Sequence, residues 1–279
     1  MKTIYFASTP WASANEQLAN FIHQTPNCNG IWNNIQATAN KKEADYVIVM
    51  DQTMENVDAR KVIFFGREPK HVVGAYKEWH GICSGNYHHE AGNSWLAMTW
   101  WTKKTFDELI QLNPEKTKNL SVIDSGKRVT EFHGYRLDLI REIIKRLRND
   151  VDCYGGIVNN QLPHRDKTKG LEAYRYNLAV ENGRTDFYFS EKLCDPLLFL
   201  AMPIYCGCRK IDRFFPSKSY VLIDEQKSHE YNARYIKEVI GSNIREENIE
   251  AIKEARDLVL YKYNIWNTIS LAVNKGAII

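Results

Sequence analysis

Polar residues gather where apolar runs of the chain end, and their types are those that hold and transfer a charged group. Ser125, Lys127 and Arg136 follow the run Leu120 to Ile123, and Asn182 follows Tyr176 to Val180. Tyr188, Glu191 and Lys192 then open an apolar, helix-like segment. Cations near helix starts with a carboxylate between them suit a diphosphate and a sugar together. Glu68, in Gly66-Arg67-Glu68-Pro69, lies just beyond the run KVIFF. A carboxylate at the carboxyl end of a strand is placed to act as a base. Each residue also has an ordinary structural reading. Glu191 after Ser190 fits an acidic first helical turn, and Lys192 fits a solvated position. Arg136 on an amphipathic helix fits water or an acidic neighbour, and Glu68 fits an acidic turn.

Several chemistries lack their sequence support. There is no G-x-x-x-x-G-K-[ST] loop, no G-x-G-x-x-G turn, no G-x-S-x-G elbow and no H-E-x-x-H helix. The formal charge of +3, from 37 basic and 34 acidic residues, and the lack of RNP or helix-turn-helix patterns argue against a nucleic-acid partner. The six cysteines (Cys28, Cys83, Cys153, Cys194, Cys206 and Cys208) are too dispersed for a disulfide framework, which suits a reducing compartment. Cys206-Gly207-Cys208 lacks the second spaced pair that zinc sites show, so buried thiols are expected there and no metal. MKTIYFAST reads as a first strand and not a leader. The longest apolar run, Pro196 to Tyr205, is about half of what a bilayer crossing needs, so no transmembrane segment and a cytoplasmic location are expected.

The elements that must position these residues follow from periodicity. Lys2 to Ser8, Asp45 to Met50 and Lys61 to Phe65 read as strands. The last two are continuous apolar runs of the kind parallel sheets bury on both faces. Leu18, Ala19, Phe21 and Ile22 mark a helix after the first strand. The polar stretch Asn113 to Asn119, with Pro114 and no apolar period, is the candidate domain boundary. Beyond it the pattern restarts. A strand over Leu120 to Ile123 precedes a helix from about Gly134 to Leu147, with Leu137, Ile140, Ile143, Ile144 and Leu147 on one side. A short strand then runs from Val151 into Gly155-Gly156, and Asn160 to Lys169 is a basic loop. The stretch from Tyr174 onward reads strand, polar turn, helix, strand, the order of an α/β domain, whose ligands bind at the carboxyl ends of the strands. Pro196 breaks the helix unless a new one begins there, with Asp195 as its cap. Glu230 to Ile279 reads as helical. The tryptophans of Asn93 to Trp101 suit either a core or a platform for a sugar ring.

Four linked blocks then resemble a known family. Tyr174-Arg175-Tyr176-Asn177-Leu178-Ala179-Val180-Glu181-Asn182, Tyr188-Phe189-Ser190-Glu191-Lys192, Pro203-Ile204-Tyr205-Cys206-Gly207 and Phe215-Pro216-Ser217-Lys218-Ser219-Tyr220 follow one another in that order. Together they are similar to the signature of the family-ten glycosyltransferases, the alpha-1,3/1,4-fucosyltransferases. Weaker likeness extends upstream through Ser121 to Lys127 and His133-Gly134-Tyr135-Arg136. Cys206 stands where the family has Trp. The resemblance implies an α/β protein of the GT-B fold, two Rossmann-like domains facing across a cleft. An acceptor domain would span residues 1–117, a GDP-sugar domain 118–250, and a last helix over 251–279 would pack back on the first. It implies an inverting transfer of L-fucose from GDP-fucose to a hydroxyl of an acceptor glycan. No obligatory cofactor and no metal are expected, because Arg and Lys would neutralise the diphosphate. By position Glu68 would be the base, with Glu78 or Glu90 as alternatives, and Glu191 the carboxylate near the fucose. Ser125, Lys127, Arg136, Asn182, Tyr188 and Lys192 would hold the donor, and Trp95, Trp100 and Trp101 would face the acceptor. Another GDP-sugar as donor, or a carbohydrate-binding protein without the chemistry, remains the alternative.

Overall fold

The computed structural model describes residues 1–67 and 98–274, and the backbone of 85–88. The chain forms two compact units. The first takes Met1–Thr99, Lys104–Ile110 and Leu260–Ile279, and the second takes Trp100–Lys103 and Gln111–Val259.

The first unit is built on β1 (Lys2–Phe6), β2 (Ile31–Trp32), β3 (Ile35–Ala37), β4 (Tyr46–Met50), β5 (Val62–Gly66) and β6 (Gly85–His88), in the order β2-β3-β1-β4-β5-β6. All pairings are parallel except that of β2 with β3. The apolar runs of β4 and β5 are buried almost throughout, as their lack of alternation predicts. Helix α1 (Ala14–Ile22) starts at a capping box in which Ser13 and Glu16 satisfy each other's backbone amides. Helix α2 (Phe106–Gln111) lies mostly in this unit. At Asp51 the backbone turns with φ +63, and its carboxylate accepts from Arg67 through the backbone N at 2.7 Å and the guanidinium at 2.6 and 2.9 Å.

The second unit is wholly parallel. Its strands β7 (Lys118–Asp124), β8 (Val151–Gly155), β9 (Tyr174–Val180), β10 (Met202–Cys206) and β11 (Val221–Leu222) lie in the order β11-β10-β9-β7-β8. Its helices are α3 (Glu131–Leu147), α4 (Glu191–Leu198), α5 (His229–Ile240), α6 (Ile244–Glu247) and α7 (Ile249–Asp257). Numbered within the unit, the strand order is the doubly wound 2-1-3-4-5, whose switch point lies between the carboxyl ends of β7 and β9. Buried Asn177 on β9 joins these two strands, its Nδ2 donating to Ser121 Oγ at 2.9 Å.

The unit boundaries differ from the sequence expectation. The polar stretch after Gln111 packs on the second unit, because Lys116 Nζ donates to the carbonyls of Leu171, Glu172 and Phe199 at 2.7–3.3 Å. Helix α7 stays there too, with Arg256 donating to Leu112 O at 2.8 Å. Of the expected last segment, residues from Leu260 onward, with α8 (Ile265–Asn274), belong to the first unit, where Trp266 is fully buried and donates to Phe21 O at 2.8 Å. The ring of Phe6 meets both Phe21 and Trp266, at 5.0 and 5.5 Å between centroids. Pro196 does not restart a helix. Helix α4 is capped by Ser190 and runs through the proline, which removes one backbone hydrogen bond in a helix that ends two residues later.

The end of β8 touches the end of β7 through two glycines. A Cβ on Gly155, at φ +95, would lie 2.0 Å from Asp124 O, and one on Gly156 would lie 2.2 Å from Ser125 O. Gly155→Ala is therefore expected to cost about 2 kcal/mol or more in thermal unfolding. Gly241→Ala is the control, since its φ is −81 and its added Cβ has 3.4 Å of room. Equal effects of the two changes would refute the close approach.

Candidate functional site

Asp124, the last residue of β7, organises the switch point. Its Oδ1 accepts from Gly126 N at 2.7 Å, closing the turn that carries Ser125 and Lys127. Its Oδ2 pairs with Arg136 Nε at 2.5 Å, and both side chains are almost wholly buried. Arg136 comes from the second turn of α3, and its NH1 donates to Val180 O at 3.2 Å and Asn182 Oδ1 at 3.0 Å. One guanidinium thus ties the ends of β7 and β9 together and aims Asn182. Of the two readings open to Arg136, the acidic neighbour is the one found, in the interior and not at the surface. Ser125 and Lys127 are exposed on the turn.

Thr130 caps α3 by accepting from His133 N, and also donates to Asn182 O at 3.2 Å. Burial lowers the affinity of the His133 imidazole for a proton, and Arg136, Lys192 and Lys127 push it further in the same direction. Asp124 opposes them, so His133, in the first turn of a 17-residue helix, feels three cations of which Arg136 is already paired with that carboxylate. A helix N-terminus at a switch point with Lys127 and Lys192 beside it favours an anion.

The start of α4 holds the acidic side. Glu191 is partly buried. Burial alone would raise its pKa, but Lys192 and Lys167 outweigh that and hold it below the usual carboxylate range. Both ammoniums approach the same oxygen, Oε1, at 3.2 Å for Lys192 and 3.5 Å for Lys167. Lys192 is thus partly buried and paired, not merely solvated. Asp195 lies one turn further on with no exposed surface, and it meets Lys167 Nζ at 2.8 Å and Trp101 N at 3.2 Å. Burial raises Asp195 to about 6. A cavity of about 30 Å³ is lined by Asp124, Arg136, Asn177, Lys167, Lys192 and Asp195 among others. That is room for a water molecule with polar partners.

Behind the site lies Glu181, fully buried. It accepts from Ser190 N and Oγ at 2.8 and 2.5 Å, and Tyr205 OH stands at 3.5 Å. Gly207 is required here, since a Cβ would come within 2.3 Å of Glu181 Cγ. The glycine and tyrosine of one block thus serve the glutamate and serine of two others. Tyr188 is buried as well, 1% exposed. Trp100 is a core residue, whereas Trp101 is 38% exposed, with Arg165 and Lys167 over its ring at 5.8 and 5.4 Å. The thiols of Cys206 and Cys208 are buried and raised to about 11 and 12 by that burial. Among the described residues no three His, Cys, Asp or Glu side chains gather as a metal site would require, and no helix is long and apolar enough to cross a membrane. Glu68, Glu78, Glu90 and Trp95 lie outside the described residues.

Sequence reasoning missed Asp124, Lys167 and Asp195 as parts of this site. The sequence pattern offers Asp195 only as a cap and Lys167 only as one residue of the basic loop 160–169.

Residues 113–246 match the glycosyltransferase family 10 (fucosyltransferase) C-terminal region. These residues belong to that family. Over 110 residues the chain is 33% identical to GDP-fucose protein O-fucosyltransferase 3 of Danio rerio, covering 35% of this chain and 24% of the relative. Over 85 residues it is 34% identical to alpha-(1,3)-fucosyltransferase FucT of Helicobacter pylori, covering 30% of this chain and 18% of the relative. The chain therefore spans about a quarter or less of the length of these curated relatives. A solved alpha1,3-fucosyltransferase with GDP superposes over 95% of this chain and 92% of its own, with TM-score 0.52 and 16% identity. The lipopolysaccharide glycosyltransferase WaaG superposes over 98% of this chain and 99% of its own, with TM-score 0.50 and 10% identity. These likenesses are of fold, and the fold is GT-B.

Because burial raises Glu181 from 4.5 to about 7, the folded protein keeps a proton there that the unfolded chain has released. The resulting stabilisation is complete below about pH 4.5 and disappears as pH rises to about 7. Relative to Glu181→Gln, the wild type should lose on the order of 3 kcal/mol of stability between pH 4.5 and 8 in denaturant titrations. A pH-independent difference would contradict a protonated Glu181.

Proposed function

We propose that this protein is a glycosyltransferase that moves L-fucose from GDP-fucose to a hydroxyl of an acceptor glycan with inversion and without a metal. The observation that carries the reading is the placing of Lys127 on the turn after β7 and Lys192 in the first turn of α4, with the N-terminus of α3 following β7 at the switch point of the unit that matches family 10. Two lysines and a helix N-terminus suit the charge of a nucleoside diphosphate. The relatives named for GDP-fucose or fucosyl transfer support the choice of donor.

In this reading Lys127 and Lys192 meet the diphosphate, and Arg136 acts from beneath by fixing Asn182 and the turn after β7. Glu191, kept ionised by its two lysines, steadies the positive charge that develops on the sugar ring as its bond to GDP breaks. The acceptor oxygen forms the new bond at the opposite face of the anomeric carbon. Its proton passes to a carboxylate base, the role the sequence offers to Glu68, and the electron pair of the broken bond leaves with GDP. Trp101 is exposed enough to meet a sugar ring. No nucleic acid enters the reading.

Calorimetric titration in EDTA should give tight binding of GDP and GDP-fucose and little of UDP. GDP-fucose should be turned over in preference to GDP-mannose. Lys192→Ala should weaken GDP binding about tenfold or more, and Glu191→Gln should lower turnover about a hundredfold with GDP affinity little changed. Absence of GDP binding, or a Glu191→Gln enzyme of full activity, would overturn the reading.

A further inference from the structure

Lys167 has contacts that stability alone does not explain. It comes from the basic loop after β8, yet its ammonium reaches the interior, 2.8 Å from Asp195 Oδ2 and 3.5 Å from Glu191 Oε1. Its backbone N donates to Trp101 O at 2.7 Å, while Trp101 N donates back to Asp195 at 3.2 Å. The loop, the Trp101 segment and the first two turns of α4 are thereby joined at one ammonium. A buried ion pair of this kind stabilises no better than a well-packed apolar pair of the same volume. Lys167 also lines the cavity that Arg136, Asp124 and Lys192 line.

We propose that Lys167 is a positioning residue for the transfer. Anchored by Asp195 and the Trp101 segment, it completes a pair of ammoniums around Glu191 Oε1 and holds that carboxylate in one place beside the donor site. The proposal rests on the functional reading above, and it assigns Lys167 no contact with GDP. Glu191 has Lys192 and Ser190 beside it on its own helix and cap, Lys167 from the loop, Asp195 on the next turn and Glu181 at the end of β9. Two of these are cations and two are carboxyls. Loss of Lys167 therefore leaves Glu191 with a single cation and beside an Asp195 that has lost its partner, and its proton affinity rises.

The test is release of GDP from GDP-fucose by the full chain between pH 4.5 and 8, with GDP affinity measured alongside. Lys167→Met should bind GDP within about threefold of wild type and lose about tenfold in kcat at neutral pH with little change in KM. The acidic limb of its kcat profile should move up by about one pH unit, and Lys167→Arg should bring it back. Lys167→Met combined with Asp195→Asn leaves no unpaired buried charge at position 195, and it should still show a raised limb, by less than the single variant, even if the single variant folds poorly. A wild-type limb in either Met variant, or a loss of GDP affinity that matches the loss of turnover, overturns the proposal. A wild-type protein that binds no GDP overturns the functional reading and this inference with it. Normal wild-type turnover with an unmoved limb overturns this inference alone.

Discussion

The buried pair of Asp124 and Arg136 is the constraint on which the second unit's site depends. Both groups are withdrawn from water, and breaking such a pair by removing one partner costs on the order of 3–5 kcal/mol. What the pair holds is geometry. Asp124 closes the turn that presents Ser125 and Lys127, and Arg136 crosses to the end of β9 and fixes Asn182. The two strands are the neighbours at which the winding of the sheet reverses, so the pair spans the place where a ligand of this fold must sit. Gly155 and Gly156 let β8 approach the same turn from the other side.

The start of α4 repeats this logic with a carboxyl that keeps its proton. Glu181 receives both hydrogen-bond donors of Ser190 and so joins the end of β9 to the cap of α4. Only a glycine fits at position 207 beside it. Glu191 and Asp195, on successive turns, share Lys167, yet their environments push them in opposite directions: the two lysines hold Glu191 below its ordinary range, and burial raises Asp195. Two carboxyls driven apart in this way divide labour, one staying an anion at the site and the other anchoring what surrounds it.

Most elements of the second unit were legible in the sequence, because their signals are local. The unbroken apolar runs of β9 and β10 and the one-sided periodicity of α3 depend only on residues near one another in the chain. Pro196 misled because propensity argues against a proline at the sixth position of a helix. An eight-residue helix with a serine cap tolerates it when the second turn is anchored through Asp195. The polar stretch Asn113 to Asn119 reads as a domain boundary for its lack of period. It is instead pinned to the second unit by Lys116 and three carbonyls far along the chain.

The sequence by itself determined the α/β class, the strands with continuous apolar runs, the family likeness and the candidate residues Arg136, Asn182, Glu191 and Lys192. Each of these follows from composition, periodicity or the spacing of motifs within some fifty residues. Tertiary structure alone decided what those residues do to one another. Arg136 is a strut because its partners, Asp124 and Val180, are 12 and 44 positions away. Tyr188 and Trp100 are interior while Trp101 is exposed, a difference between adjacent tryptophans that composition does not encode. Lys167 sits 28 positions from Asp195 in a loop without pattern, and its role emerges only when the parallel crossovers bring loop and helix together. Burial and ion pairing are properties of neighbours in space, and in a parallel sheet those neighbours are always distant in sequence.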